Sequence, residues 1–126
     1  MIKRCRPREL MPQLDLADFS DFLTYCRTKA VPVSRRSLHP AMLHSIQCFG
    51  PWATMPVKEA TLAKPLLVSQ DYFILDGNRR WRTHIESQSS QAPCFVLGLD
   101  LIDALKFLHA YPKVYRYADG PQPERV

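Results

Sequence analysis

The chain has 126 residues, of which 46% are hydrophobic, and it carries a formal net charge of +5 at pH 7. A chain of this length typically forms one domain, and no apolar run approaches the roughly 20 residues that a transmembrane helix needs. We therefore expect one globular cytoplasmic domain with anionic partners and no membrane contact.

The N-terminal residues 1–30 are predicted to form a basic tail followed by one helix. The residues Phe19, Phe22, Leu23 and Cys26 recur at the spacing of one helical face, which predicts a helix over residues 18–29. The tail is basic because it contains Lys3, Arg4, Arg6 and Arg8. Nucleic acid is therefore a candidate partner of the tail.

Residues 31–62 give weaker patterns. Arg35 and Arg36 interrupt the apolar pattern of residues 31–38, and a turn is predicted at His39 and Pro40. Residues 41–52 carry a helical apolar stripe that Gly50 and Pro51 interrupt, and a second short helix is predicted to begin at Pro56.

Residues 65–82, with the sequence PLLVSQDYFILDGNRRWR, predict a strand, a turn, a second strand and the start of a helix. The strands are residues 66–68 and 72–75, joined by a turn at residues 70–71. Gly77 therefore falls where a strand becomes a helix, and the first amides of a helix lack helical partners. The helix dipole is positive at this end, and glycine permits close approach of a ligand. The pattern predicts phosphate binding.

Several side chains after Gly77 suit a phosphate ligand. Asn78 can donate a hydrogen bond to a phosphate or sugar oxygen, and Arg79 and Arg80 can neutralise phosphate charge. Asp76 has two interpretations, as a cap of the following helix or as a metal ligand or general base. Trp81 is predicted to pack in the core, because it shares a helical face with Ile85.

The remaining elements are a helix running to about residue 87, a strand over residues 93–97 and a last helix. Asp100 is predicted to cap this last helix, Pro112 to end it, and residues 113–126 to form a loose tail. The four cysteines occur singly, which predicts free thiols rather than a zinc site or a disulfide scaffold. Apart from the alternative role of Asp76, no residue is assigned as a metal ligand.

The segment from Gly77 to Arg82, Gly-Asn-Arg-Arg-Trp-Arg, resembles the Gly-x-x-Arg motif of the ParB/sulfiredoxin superfamily. ParB proteins carry Gly-Glu-Arg-Arg here, so Asn78 replaces their glutamate. Lys64, Pro65 and Leu66 are similar to the Gln-Pro-Ile box that precedes this hairpin in ParB-like domains. The chain also resembles short ParB-like proteins with an Asp-Gly-x-x-Arg-Trp motif.

The resemblance implies an α+β fold over residues 31–112, with a small mixed sheet covered by helices, and it identifies residues 31–38 as the first strand. It implies a nucleoside triphosphate, ATP or CTP, bound at the motif, with Mg²⁺ if the nucleotide is hydrolysed or its phosphoryl group transferred. His39 and Lys64 would border the pocket, and Asp76 would be the candidate catalytic carboxylate. The family glutamate is associated with metal-dependent hydrolysis, so Asn78 favours binding over turnover and leaves enzyme activity open. Asn78 and Arg79, which replace the cysteine and histidine of sulfiredoxins, argue against a sulfinic acid reductase.

Two other functions are compatible with the sequence. The basic residues fit a nucleic-acid-binding or nuclease-like module, although no helix-turn-helix is recognised. A catalytically inactive adaptor or inhibitor of a phage or mobile element, which holds a partner protein, also fits a compact chain with an incomplete motif.

Overall fold

We describe the fold from a computed structural model. The residues it describes are 12, 14, 19–47 and 59–112, with residues 59–60 described by their backbone alone. The predicted tails and Cys5 and Cys48 lie outside these residues. The helices and strands are α1 (Phe19–Thr28), β1 (Val33–Leu38), a 3₁₀ helix (Pro40–Met42), α2 (Glu59–Leu62), β2 (Leu66–Ser69), β3 (Ile74–Asp76), α3 (Asn78–Glu86), β4 (Ala92–Leu97) and α4 (Leu101–Ala110).

The four strands form one mixed sheet in the order β1-β4-β2-β3. The pairs β1–β4 and β2–β3 are antiparallel, whereas β2 and β4 are parallel. The predicted α+β class with a small mixed sheet is therefore confirmed. Because β2 and β4 are parallel, the chain between them forms a crossover connection. This connection consists of β3 and α3.

Side chains that alternate along the strands supply two apolar clusters, one on each face of the sheet. On the first face, Leu67, Leu75 and Leu97 pack with α1 and α4. On the second face, Leu66, Val68, Ile74, Cys94 and Val96 pack with Leu43, which follows the 3₁₀ helix, and with Trp81 of α3. The start of α3 therefore lies on the second face.

The two described cysteines are buried and free, as expected. Desolvation by burial raises the pKa of the Cys26 and Cys94 thiols to about 11, which keeps both neutral near pH 7. Within the described ranges, no helix is both long and apolar enough to cross a bilayer.

The helical prediction for residues 41–52 is wrong for its described part beyond Met42. After the 3₁₀ helix the chain runs extended beside β3, with a hydrogen bond from the His44 amide to the Tyr72 carbonyl at 2.9 Å. Leu43 packs into the cluster on the second face, whereas Ile46 packs into the cluster on the first. The apolar spacing therefore serves two faces of the sheet rather than one face of a helix. Residues 48–52 lie outside the described residues.

Asp100 occupies the predicted N-cap position of α4 but makes no side-chain cap hydrogen bond. Its Oδ1 instead accepts a hydrogen bond from Gln70 Nε2 at 3.0 Å. The helix amide of Leu101 donates to Asp71 Oδ2 at 3.4 Å, so the hairpin turn supplies the cap.

Candidate functional site

The start of α3 is set by the backbone of Gly77. This residue has φ 106° and ψ 24°, in the left-handed region that glycine adopts without a steric penalty. A Cβ atom here would lie 2.7 Å from Leu66 Cδ2 and 3.0 Å from Arg80 Nη2. Both the conformation and the space therefore require glycine. The helix has no side-chain cap and no acidic residue in its first turn.

Arg80 reaches from the first turn of α3 back to the start of β2. It is buried, and its Nη1 donates to the carbonyl oxygens of Lys64 at 3.1 Å and Pro65 at 2.8 Å. The reach is short because Asp76, at the end of β3, pairs with Leu67 near the start of β2. The guanidinium group thus joins the helix to the segment before β2 and fixes positive charge beside Gly77.

Asn78 joins α3 to the extended segment beside β3. Its Oδ1 accepts a hydrogen bond from Ser45 Oγ at 2.6 Å, and its Nδ2 donates to Gln47 Oε1 at 3.3 Å. The Gln47 amide donates to Ser45 Oγ at 3.3 Å, which closes the network. Asn78 and Gln47 are both buried. Sequence reasoning missed Ser45 and Gln47, because no local motif links them to Asn78.

The 3₁₀ helix is held against α3 by Trp81. The indole Nε1 donates to the Pro40 carbonyl oxygen at 2.9 Å, and the ring packs on the second apolar cluster. His39 is exposed, and its Nδ1 accepts a hydrogen bond from the Ala41 amide at 3.0 Å. The neutral ring therefore carries its proton on Nε2, which is a donor.

The other predicted site residues lie around this first turn. Asp76 is the last residue of β3 and lies directly before Gly77, which occupies the N-cap position of α3. Asp76 and Arg79 are half-buried and both have interactions within the protein, whereas the Lys64 side chain is exposed. In the described part of the chain, no group of three or more His, Cys, Asp or Glu side chains could hold a metal ion.

This arrangement favours binding of an anion. Asn78, Arg80 and Trp81 attach α3 to three separate segments, which fixes the orientation of its N-terminal end. The helix dipole is positive at this end, and Arg79 and Arg80 add charge next to it. A rigid, positively charged turn of this kind can hold phosphate oxygens without a P-loop.

His84 lies on the same helix and is a buried titratable group. The side chain is buried, and its Nδ1 lies 3.3 Å from Ser89 Oγ. Desolvation by burial lowers the pKa of His84 below its usual 6.5, and the charge of Arg80 lowers it further, against the opposing effect of the Leu62 carbonyl. The folded state therefore favours the neutral ring.

We expect the free energy of unfolding to decrease as the pH falls below 6.5, because the unfolded chain then binds a proton that folded His84 resists. Urea denaturation at about pH 8 and about pH 5 measures this loss. The His84→Gln variant should lose less stability over this interval. The control variant His44→Gln changes an exposed histidine. Its free energy of unfolding should decrease over this interval by as much as that of the wild type. An equal loss in both variants would contradict the assignment to His84.

Comparison with known proteins gives one structural similarity of limited extent. No protein-family model matches the chain, and no curated protein matches it. Among solved structures, the chain is similar to the C-terminally truncated chromosome-partitioning protein ParB from Caulobacter crescentus, in complex with CTP-gamma-S. The identity is 20% and the TM-score is 0.39, with 60% of this chain and 50% of that chain covered. This chain thus matches only about half the length of that ParB, and a similarity of this size establishes neither a family nor a ligand.

Proposed function

We propose that the first turn of α3 binds the phosphate groups of a nucleotide. The observation that supports this most directly is the left-handed Gly77 at the N-cap position of α3. This backbone conformation turns the chain from β3 into the helix, and amides in the first turn of a helix are donors for phosphate oxygens.

Two arginines supply charge in this proposal, each in a different way. Arg80 Nη1 is occupied by the Lys64 and Pro65 carbonyls, so Arg80 contributes a fixed positive potential and a rigid turn. Arg79 follows Asn78 in the first turn and is half-buried, and it contributes the guanidinium that binds phosphate directly. The Asn78 network with Ser45 and Gln47 holds the turn in place.

Two further residues extend the proposed site to the rest of a nucleotide. His39 presents Nε2 as a donor from the loop that Trp81 holds against α3. The Lys64 side chain is exposed. The Lys64 carbonyl oxygen accepts a hydrogen bond from Arg80 Nη1, which holds this residue beside α3. Asp76 is the carboxylate closest in sequence to Gly77 and is the proposed ligand of Mg²⁺ if the nucleotide carries one.

The test is a thermal-shift panel of ATP, CTP, GTP and their diphosphates, with and without Mg²⁺. A nucleotide at about 100 times its Kd adds about 2.7 kcal/mol to the free energy of unfolding and raises the Tm by several degrees. We expect Arg79→Ala to weaken binding about 10-fold to 100-fold, because it removes a charge-assisted hydrogen bond.

The matched control is Arg27→Ala. Arg27 is an exposed arginine of α1 that donates to Thr24 Oγ1, and α1 packs on the opposite face of the sheet. Its replacement lowers the net charge by the same amount, so the wild-type affinity should persist. Equal losses of nucleotide affinity in the two variants would mean that Arg79 acts only through the net charge of the protein. If no nucleotide raises the Tm of the wild-type protein, the proposal is wrong.

A further inference from the structure

Among the strands that the structure describes, β1 lies at an open edge of the sheet. It is the first strand in the order β1-β4-β2-β3, and it pairs with β4 on one side. The opposite edge of the sheet is β3, and it is partly covered. The His44 amide donates to the Tyr72 carbonyl, and the Ile74 amide donates to the His44 carbonyl. The side chains of residues 34–37 are all exposed.

The register of β1 identifies which of its main-chain groups are unpaired. The Gly98 amide donates to the Pro32 carbonyl at 2.8 Å, so every second residue from Pro32 onwards faces β4. The residues whose amide and carbonyl groups point away from β4 are Val33, Arg35 and Ser37. The position of Pro93 in β4 is consistent with this register. Proline has no amide hydrogen to donate, and Pro93 lies opposite Ser37, whose main-chain groups point away from β4. Within the described residues, these outward groups of β1 have no hydrogen-bond partner.

Two arginines control what this edge can accept. Arg35 lies opposite Phe95, with its guanidinium carbon 5.4 Å from the ring centroid, and Arg36 lies opposite Cys94. Since successive side chains of a strand point to opposite faces, the edge has one positive charge on each face. Charged residues commonly protect an edge strand from pairing with its own copies.

A second copy of the chain is a poor partner for this edge. The two antiparallel registers with the greatest overlap of β1 with itself place Arg35 opposite Arg35 or Arg36 opposite Arg36. Like charges directly opposite each other destabilise such pairs. The same charges favour a strand that carries acidic side chains at these positions.

We propose that the outer edge of β1 binds an extended peptide segment containing two consecutive acidic residues. The segment would add a strand to the sheet through main-chain hydrogen bonds to Val33, Arg35 and Ser37. Its two carboxylates would lie on opposite faces, one facing Arg35 and the other facing Arg36. The partner is thus a protein with an acidic strand or an acidic extended tail.

The first test uses the peptide Thr-Val-Glu-Glu-Val-Thr as probe and NMR hydrogen exchange of the whole chain as readout. In the free protein the amides of Arg35 and Ser37 should exchange quickly, and those of Ser34 and Arg36 slowly, because only the latter donate to β4. Saturating peptide should slow exchange at Arg35 and Ser37 about tenfold or more. The peptide Thr-Val-Lys-Lys-Val-Thr should have no effect. Unchanged exchange at Arg35 and Ser37 with the acidic peptide would overturn the proposal.

The second test separates main-chain pairing from charge attraction. Ser37→Pro removes only an outward amide, which a proline on an edge strand permits, and should weaken peptide binding about tenfold relative to Ser37→Ala. Slow exchange at Ser34 and Arg36 in the proline variant verifies that β1 still pairs with β4. Equal binding by the two variants would overturn strand addition. The proposal also fails if single-stranded DNA binds to Arg35 and Arg36 while the acidic peptide does not.

Discussion

We expect the Gly77→Ala variant to lose about 2 to 5 kcal/mol of folding free energy. An L-residue pays about 1 to 2 kcal/mol in the left-handed region. The new Cβ adds a clash with Leu66 Cδ2 at 2.7 Å, and overpacking of this kind costs about 1 to 3 kcal/mol. Leu66 is fully buried in the second apolar cluster, so it has little room to move. Urea denaturation of the two proteins measures the difference.

The Gly77→Asn variant separates the two costs. Asparagine enters the left-handed region more readily than alanine but places the same Cβ against Leu66. It should therefore recover part of the loss, about 0.5 to 1 kcal/mol, and remain well below the wild-type stability. If Gly77→Ala is as stable as the wild type, the described geometry of this turn is wrong.

The hairpin and α3 were predictable because their signals are local. Leu66 to Val68 and Ile74 to Leu75 are short apolar runs separated by turn residues, and Gly77 directly follows the second run. The observed β2, β3 and α3 lie within a residue or two of the predicted bounds. The strand over residues 31–38 was expected from the family resemblance rather than from its own pattern, which Arg35 and Arg36 interrupt, and its pairing with β4 stabilises it.

The segment from Leu43 to Gln47 was not predictable from its own pattern. Its apolar residues match a helical spacing, but its backbone is extended because it hydrogen-bonds along β3. Pairing with a strand that begins some thirty residues later is a tertiary effect that the local sequence does not encode. The contacts of Ser45 and Gln47 with Asn78 depend on this pairing, and they were missed for the same reason.

The motif at Gly77 shows how sequence and structure divide the information about a site. The sequence places Asn78, Arg79 and Arg80 together after a strand, which identifies a basic helix start. It does not say which side chains point inward, because that depends on what packs beside the helix. In the structure Asn78 and Arg80 are buried among the protein's own polar groups, whereas Arg79 is half-buried. The direct ligand contacts are therefore proposed for Arg79 and the main chain.

The second large effect is expected for Arg80→Ala, which should lose about 2 to 4 kcal/mol of folding free energy. The variant removes two hydrogen bonds from a charged donor, to the carbonyls of Lys64 and Pro65, each bond being worth about 1.5 to 3 kcal/mol. Water can replace part of this loss at Lys64, which is exposed. The stability of Arg80→Lys should lie between that of Arg80→Ala and that of the wild type. An ammonium group can donate to a carbonyl oxygen but lacks the planar guanidinium group of arginine. Chemical denaturation measures all three proteins.

Arg27→Ala is again the control, because it removes an exposed arginine and should change the free energy of unfolding by less than about 0.5 kcal/mol. A local measurement then tests the cause. Since Arg80 holds the segment that enters β2, its loss should speed amide exchange at Leu66 more than at Leu97 of β4. Equal stability of Arg80→Ala and Arg27→Ala would show that the guanidinium does not hold this segment. The fixed charge beneath Gly77, on which the proposed phosphate site depends, would then lose its structural basis.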